Sequence, residues 1–348
     1  MKHFAIVFYL IMLICSNLNA QNTKEAVVYL NSISENERQI SKRFLSFTSS
    51  FVHDNSAKKV EFRRKSLIKS VEESRNKIAA MPCFANDCAL RDSLESFLKL
   101  QYYVLNSDYD KILNMEEIAE ESFDNMEAYM NARSKANELI QRGGVVIDEI
   151  YKEFAKQHNI LLTEREDKIS LQIDKINKVF KHYDSVYLIF FKVNKQEAYM
   201  INSMNKKDFS GIEQNRNALI SVANEGLAKL DTVKAFFNDK SLILACRRAI
   251  TFYKTEATDK TPGLIDFLMK NENFEKVKKT FDGKEPSGRS QDEINQYNLA
   301  VKDINNASNK FNSVNNTLNN NRKLITNDWD NTVNSYLEKY VPDTNKKK

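Results

Sequence analysis

Glycine and proline are scarce, with 7 and 4 in 348 residues, well below the usual roughly 7% and 5%. Strands joined by tight turns need more of both. Long segments rich in Lys, Glu, Leu, Asn and Ala suit helices, where each interior Gly or Pro costs about 1 or 3 kcal/mol. The sequence therefore predicts an all-α chain. Apart from His3 near the start, histidines are confined to His53, His158 and His182. They stand without metal-ligand spacing, with neither a His-Glu-x-x-His helix nor the Glu-x-x-His pairs of di-iron bundles. No Gly-x-Ser-x-Gly turn and no phosphate-cradling glycine loop occurs. Nothing in the linear sequence marks a catalytic residue, a metal ligand set or a cofactor.

Long apolar runs are also missing. The longest, Phe4 to Ile14, follows Lys2 and His3 and precedes Leu18-Asn19-Ala20. It is too short for a spanning helix and has the form of a secretory signal peptide over residues 1–20, cleaved before Gln21. Cys15 offers the other reading, the lipid-modified first residue of a bacterial lipoprotein. Ile14 before it is larger than such sites favour, whereas Ala20 suits cleavage. Residues 21–348 carry 51 Lys and Arg against 47 Asp and Glu, a net of +4. Interspersed charge so near balance excludes the footprint of a nucleic-acid binder or a polybasic membrane patch. The closing Lys346-Lys347-Lys348 reads as a frayed basic tail over 343–348.

What is present is helical periodicity. Ile169, Ile173, Ile176, Phe180, Tyr183 and Tyr187 recur at gaps of three and four, one apolar helix face, entered from Thr163-Glu164-Arg165-Glu166, a capping-box pattern. A second run joins Tyr297, Val301, Ile304, Phe311, Leu318, Ile325 and Trp329 through to Tyr340. Unbroken from the turn at residues 282–288, it would cover about 50 residues and roughly 75 Å. Ile304, Phe311, Leu318 and Ile325 sit seven apart, like a coiled-coil seam.

Residues 61–100 align without gaps to residues 213–252 at an offset of 152, with ten identities that include Glu61/Glu213, Arg64/Arg216, Leu67/Leu219 and Phe84-x-Asn86-Asp87/Phe236-x-Asn238-Asp239. The unit reads as helix, turn, helix, a duplicated hairpin. Long amphipathic helices flank each copy, Val27 to Phe51 and Ile118 to Phe154 around the first, Ile169 to Met204 and Tyr297 to Tyr340 around the second. Two tandem antiparallel four-helix-bundle units are expected, elongated, at 21–160 and 161–342. Gly143-Gly144 is expected to break a helix. The clusters Glu116, Glu117, Glu120, Glu121 and Arg63, Arg64, Lys65 are expected on solvated faces.

Cys83 and Cys88 flank four residues of the first hairpin turn. In an exported chain they predict a local disulfide, worth about 2 kcal/mol by chain entropy; two thiols without a nearby histidine make a poor metal site. Cys246 is expected to be a small buried apolar residue. Adjacent aromatics at Tyr102-Tyr103 and Phe190-Phe191 point to diverging helix faces, so one of each pair is expected at a contact between units or on a binding surface.

Three tripeptides, Asp92-Ser93-Leu94, Asp184-Ser185-Val186 and Asp231-Thr232-Val233, resemble the Asp-(Ser/Thr)-apolar acceptor of general O-glycosylation in Bacteroidota, which implies modification at Ser93, Ser185 and Thr232. With the Asn19-Ala20 cleavage site, the Asn and Lys richness, the duplicated Phe-x-Asn-Asp hairpin and Tyr297-Asn298-x-x-Val301, the chain resembles uncharacterised exported helical surface proteins of Bacteroidota. The resemblance implies a periplasmic, surface or extracellular location. The function expected is non-enzymatic contact with a protein or glycan partner. The alternative is a periplasmic small-ligand or metal-binding bundle with a buried polar pocket lined by Tyr, Met and His182.

Intact-mass spectrometry of the protein purified from its host should return a chain starting at Gln21, lighter by the two hydrogens lost in one disulfide. A lipid adduct on Cys15 would replace that reading with an anchored one.

Overall fold

A computed structural model of the chain describes residues 8–12, 19–54, 56–165 and 168–344. It is all-α, apart from one short pairing of strands. The elements are β1 (Phe8–Met12), α1 (Asn19–His53), α2 (Ala57–Ala79), α3 (Ala89–Tyr103), α4 (Tyr109–Ala119), α5 (Phe123–Gln157), β2 (Leu161–Arg165), α6 (Lys168–Asn205), α7 (Phe209–Thr232), α8 (Ser241–Thr255), α9 (Thr261–Asp282) and α10 (Gln291–Tyr340). One turn of π-helix joins α3 to α4 at Val104–Asp108, and another joins α8 to α9 at Glu256–Lys260.

The duplication holds at the level of the backbone. Every element from α2 through the start of α4 recurs in α7 through the start of α9 at the same offset of 152, including the π turns, which lie beyond the aligned segment. In each hairpin the bridge Phe84–Asp87 or Phe236–Asp239 closes a two-residue turn. The central residues, Ala85 and Asn86 or Phe237 and Asn238, have φ between 46° and 64°, the pair of positive φ values of a type I′ turn. Asn tolerates that region because its short polar side chain bonds locally, so its recurrence at the second turn position has a backbone cause. Asp87 and Asp239 each accept a hydrogen bond from the backbone N–H two residues on, at Ala89 and Ser241. These bonds satisfy a donor at the first residue of the next helix. Cys83 and Cys88 straddle the first turn at disulfide distance, with Cα atoms 4.5 Å apart.

Equivalent positions also fill equivalent core sites. Leu67/Leu219, Val71/Ala223, Ile78/Leu230, Leu90/Leu242, Leu94/Cys246 and Leu98/Ile250 are all buried, each large side chain contributing roughly 1.5–3 kcal/mol by leaving water. Cys246 is thus the small buried residue expected, its thiol pushed up to about 12 by burial.

The chain forms two compact units, residues 1–184 with 334–348, and residues 185–333. The division falls inside α6 and inside α10 rather than at 160/161. The first turns of α6 belong to the first unit because they pack there: Asp184 pairs with Arg133 of α5 at 2.6 Å, and His182 Nδ1 lies 3.1 Å from the Tyr336 hydroxyl.

Several local expectations are corrected. Thr163 lies in β2 opposite Leu10 of β1, and α6 starts only at Lys168, so the helix does not begin at the expected Thr163. Glu166 lies outside the described residues. The helix expected over Ile118 to Phe154 is two, because Ser122 accepts from the Asn125 N–H and starts α5 afresh. Gly143-Gly144 does not break α5. A Cβ at Gly143 would stand 2.7 Å from the Phe97 ring, so glycine there permits close approach of α5 to α3. Arg64 is not on a solvated face but buried. Residues 343 and 344 of the expected tail are docked, with the Thr344 N–H donating to Ser49 Oγ at 3.2 Å; Lys346 to Lys348 lie outside the described residues.

Replacing Asn86 or Asn238 with valine, whose β-branch clashes at positive φ, should lower the unfolding free energy by about 1–2 kcal/mol each in urea titrations.

Candidate ligand pocket in the first unit

The candidate site is built by the first copy of the repeat and the helices around it. Arg64 of α2 pairs with Glu61 one turn earlier at 2.7 Å and donates through Nη1 to the carbonyl of Leu105 at 2.8 Å. That carbonyl belongs to the π turn, whose wider spacing disturbs the regular helical ladder. The guanidinium thereby fixes where α3 ends and where Leu105 points. Leu105 is buried and forms one wall of a cavity.

The cavity measures about 80 Å³ and is lined from α1 (Ile40, Ser41, Phe44), α2 (Leu67), α3 (Gln101), the π turn (Leu105), α5 (Asn137, Ile140, Gln141) and α6 (Ser170, Ile173, Asn177). Apolar and uncharged polar side chains contribute in equal number, and none of the twelve is charged. At 10–15 Å³ per water, it has room for roughly five to eight waters, or a molecule of about as many heavy atoms. The Asn137 carbonyl oxygen is engaged by the Tyr109 hydroxyl at 2.8 Å. Gln101 Oε1 is different: it is buried with no hydrogen-bond partner among the described residues. An acceptor so placed costs about 1–3 kcal/mol unless something donates to it.

The second copy shows how the same scaffold closes this space. At the offset of 152, Gln101 corresponds to Tyr253, Ser41 to Val193 and Leu67 to Leu219. Tyr253 is fully buried, and its hydroxyl accepts from Asn194 at 2.8 Å. The ring occupies volume that Gln101 does not.

The residues singled out from the sequence do not converge on the cavity. Cys83 and Cys88 are at the hairpin turn. Ser93 is part-exposed on α3 beside an open groove against α5. Ser185 is exposed on α6, and Thr232 is exposed at the end of α7, its hydroxyl donating to the Lys229 carbonyl. His182 meets Tyr336 and is not in the lining of this cavity, and neither Tyr nor Met is. His53 contacts the Val341 carbonyl at 2.9 Å, and His158 packs edge-on against Phe84; burial lowers the pKa of His158. Among the described residues, no three His, Cys, Asp or Glu side chains are grouped to hold a metal. Phe190 and Phe191 are both buried, Phe190 stacked on Trp329 at 4.2 Å, so neither forms a surface; Tyr103 of the other pair is exposed. Sequence reading missed Gln101 and Arg64. Arg64 was signalled by its identity with Arg216, and Gln101 by its difference from Tyr253.

Fold and cavity together define a helical-bundle protein with an uncharged, half-polar pocket in its first unit. No known protein family, no curated protein and no solved structure matches the chain.

Gln101→Leu, which keeps the volume and removes the orphaned oxygen, should raise stability by about 1 kcal/mol in urea unfolding.

Proposed function

We propose that the chain is an exported, non-enzymatic helical protein that binds a small uncharged molecule in the pocket of its first unit. The observation that carries the reading is the buried acceptor Gln101 Oε1, partnerless at the wall of a cavity without charge. The recognised ligand has an apolar body to lie against Ile40, Leu67, Leu105 and Ile173, and a hydroxyl or amide N–H to donate to Gln101. A charged molecule is disfavoured, since burying an unpaired ion costs far more than a neutral hydrogen-bonded group. Spaces between bundle helices are a usual place for small-ligand sites, where a few placed polar groups fix the ligand's orientation.

Export rests on the N-terminal pattern over residues 1–20 and on the Cys83–Cys88 pair, a bond that persists in oxidising compartments. No helix among the described residues is long and apolar enough to cross a membrane. A protein or glycan partner and modification of Ser93, Ser185 and Thr232 remain compatible with this location, and intact mass reads the modification directly.

The test is ligand-observed NMR on the full chain with phenol, cyclopentanol and small primary amides, and benzoate as a charged control. Phenol or cyclopentanol should bind the wild type, benzoate should not, and Gln101→Tyr, which copies the second unit's filling residue, should abolish binding while leaving the fold intact by circular dichroism. Absence of binding by every neutral probe, or binding undiminished in Gln101→Tyr, would overturn the proposal.

A further inference from the structure

The second unit departs from the first at two buried positions of the duplicated scaffold. Leu45 and Val104 are buried apolar residues of α1 and the first π turn; at the offset of 152 their counterparts are Glu197 of α6 and Glu256 of the second π turn. Both carboxylates are more than nine-tenths buried, at 7% and 1% exposure. The fold does not require charge there, because the first copy packs hydrocarbon at the same places.

Both carboxylates meet one cation. Arg322 of α10 brings Nε within 2.7 Å of Glu197 Oε1, and its Nη2 donates to Glu256 Oε1. The remaining donor used by the guanidinium, Nη1, goes to Asn319 Oδ1 at 2.6 Å. Two acids therefore share one guanidinium, leaving an excess negative charge in a buried site. Among the described residues Glu256 Oε2 has no hydrogen-bond partner, and the Glu197 contact lacks hydrogen-bond geometry. Burial without full pairing disfavours the charged form of an acid, and a second carboxylate beside it adds to the effect.

Among the described residues, the surrounding elements supply no second cation. From α8 comes Tyr253, whose phenol is pushed up to about 12, chiefly by burial, and stays neutral. From α7 comes Arg216, but its Nε is spent on the Ala257 carbonyl at 2.8 Å and its Nη1 on Glu213 at 3.0 Å. At the start of α9, Thr261 donates its hydroxyl to the Glu256 carbonyl. Asp259 and Lys260 of the π turn are exposed, as is Arg248, which pairs with the half-buried Asp328.

We propose that Glu197 and Glu256 form a buried proton-binding site, half-neutralised by Arg322, which holds one proton in the folded second unit and releases it as the medium turns alkaline. Loss of that proton leaves two carboxylates against one guanidinium and weakens the packing of α6, the second π turn and α10. The two carboxyls share the proton: Glu197 is raised to about 7 by burial first and by Glu256 second, against the lowering by Arg322, and Glu256 is raised by burial, with Arg322 opposing. The sign follows from linkage. A carboxyl whose folded value is raised above its unfolded value of about 4.3 contributes stability fully present below that value and lost as pH rises to about 7, after which the loss stays constant.

Glu37 of the first unit, where burial raises the carboxyl to about 7 against the hydrogen bond from Tyr151, titrates over the same range. The experiment must subtract it. Urea unfolding of the full chain at pH 5 and pH 8 is compared with that of Glu197→Gln. The folded-to-unfolded ratio of the wild type should fall on the order of a hundredfold more between the two pH values than that of the variant. Parallel behaviour of the two proteins would overturn the proposal. Infrared titration of Glu37→Gln keeps the question answerable if Glu197→Gln does not fold: a protonated-carboxyl band that fades near neutral pH supports the site, and no such band removes it. The triple variant Glu197→Leu, Glu256→Val, Arg322→Met, which restores the first copy's apolar pair, should fold and, in the Glu37→Gln background, lose that band.

Discussion

One guanidinium-to-carbonyl bond, made twice, holds the arrangement on which both sites depend. Arg64 donates to Leu105 and Arg216 to Ala257, each braced by an acid one turn earlier. A π turn widens the helix and leaves backbone groups that the regular ladder cannot serve. Ionised donors make the stronger hydrogen bonds, and the rigid five-donor fork of a guanidinium can donate to a carbonyl and hold a carboxylate at once. With this bond in place, the residues just before and at the π turn face the interior in a fixed register.

What occupies that register separates the two units. In the first, Gln101 and Leu105 leave a cavity and Val104 packs as hydrocarbon. In the second, Tyr253 fills the space and Glu256 carries an acid inside. The same backbone thus supports a pocket in one copy and a buried acid pair in the other. Each departs from the densely packed apolar core that would maximise stability, and such local inconsistencies are where functional constraint concentrates.

The secondary structure was largely legible in the linear sequence, because amphipathic stripes at gaps of three and four report one buried face whatever that face meets. The stripes of α1, α6 and α10 could be read for that reason. The hairpin was legible from Phe-x-Asn-Asp, since positive φ favours Asn and the Asp satisfies a free N–H. The misreadings were of a different kind. Gly143 looked like a helix breaker, but its role is set by the Phe97 ring on another helix. Arg64 looked solvated beside Arg63 and Lys65, but a carbonyl 41 residues away accepts from it.

The sequence by itself determined that the chain is helical, that a hairpin is duplicated, and that Cys83 and Cys88 can bridge its turn, all consequences of local backbone preference and short-range spacing. Only the tertiary structure decided that Gln101 faces a void while Tyr253 fills one, and that Glu197, Glu256 and Arg322, drawn from three separate helical segments, share one buried site. Cavities and buried charges are properties of what surrounds a side chain, and those surroundings come from residues far apart in the chain.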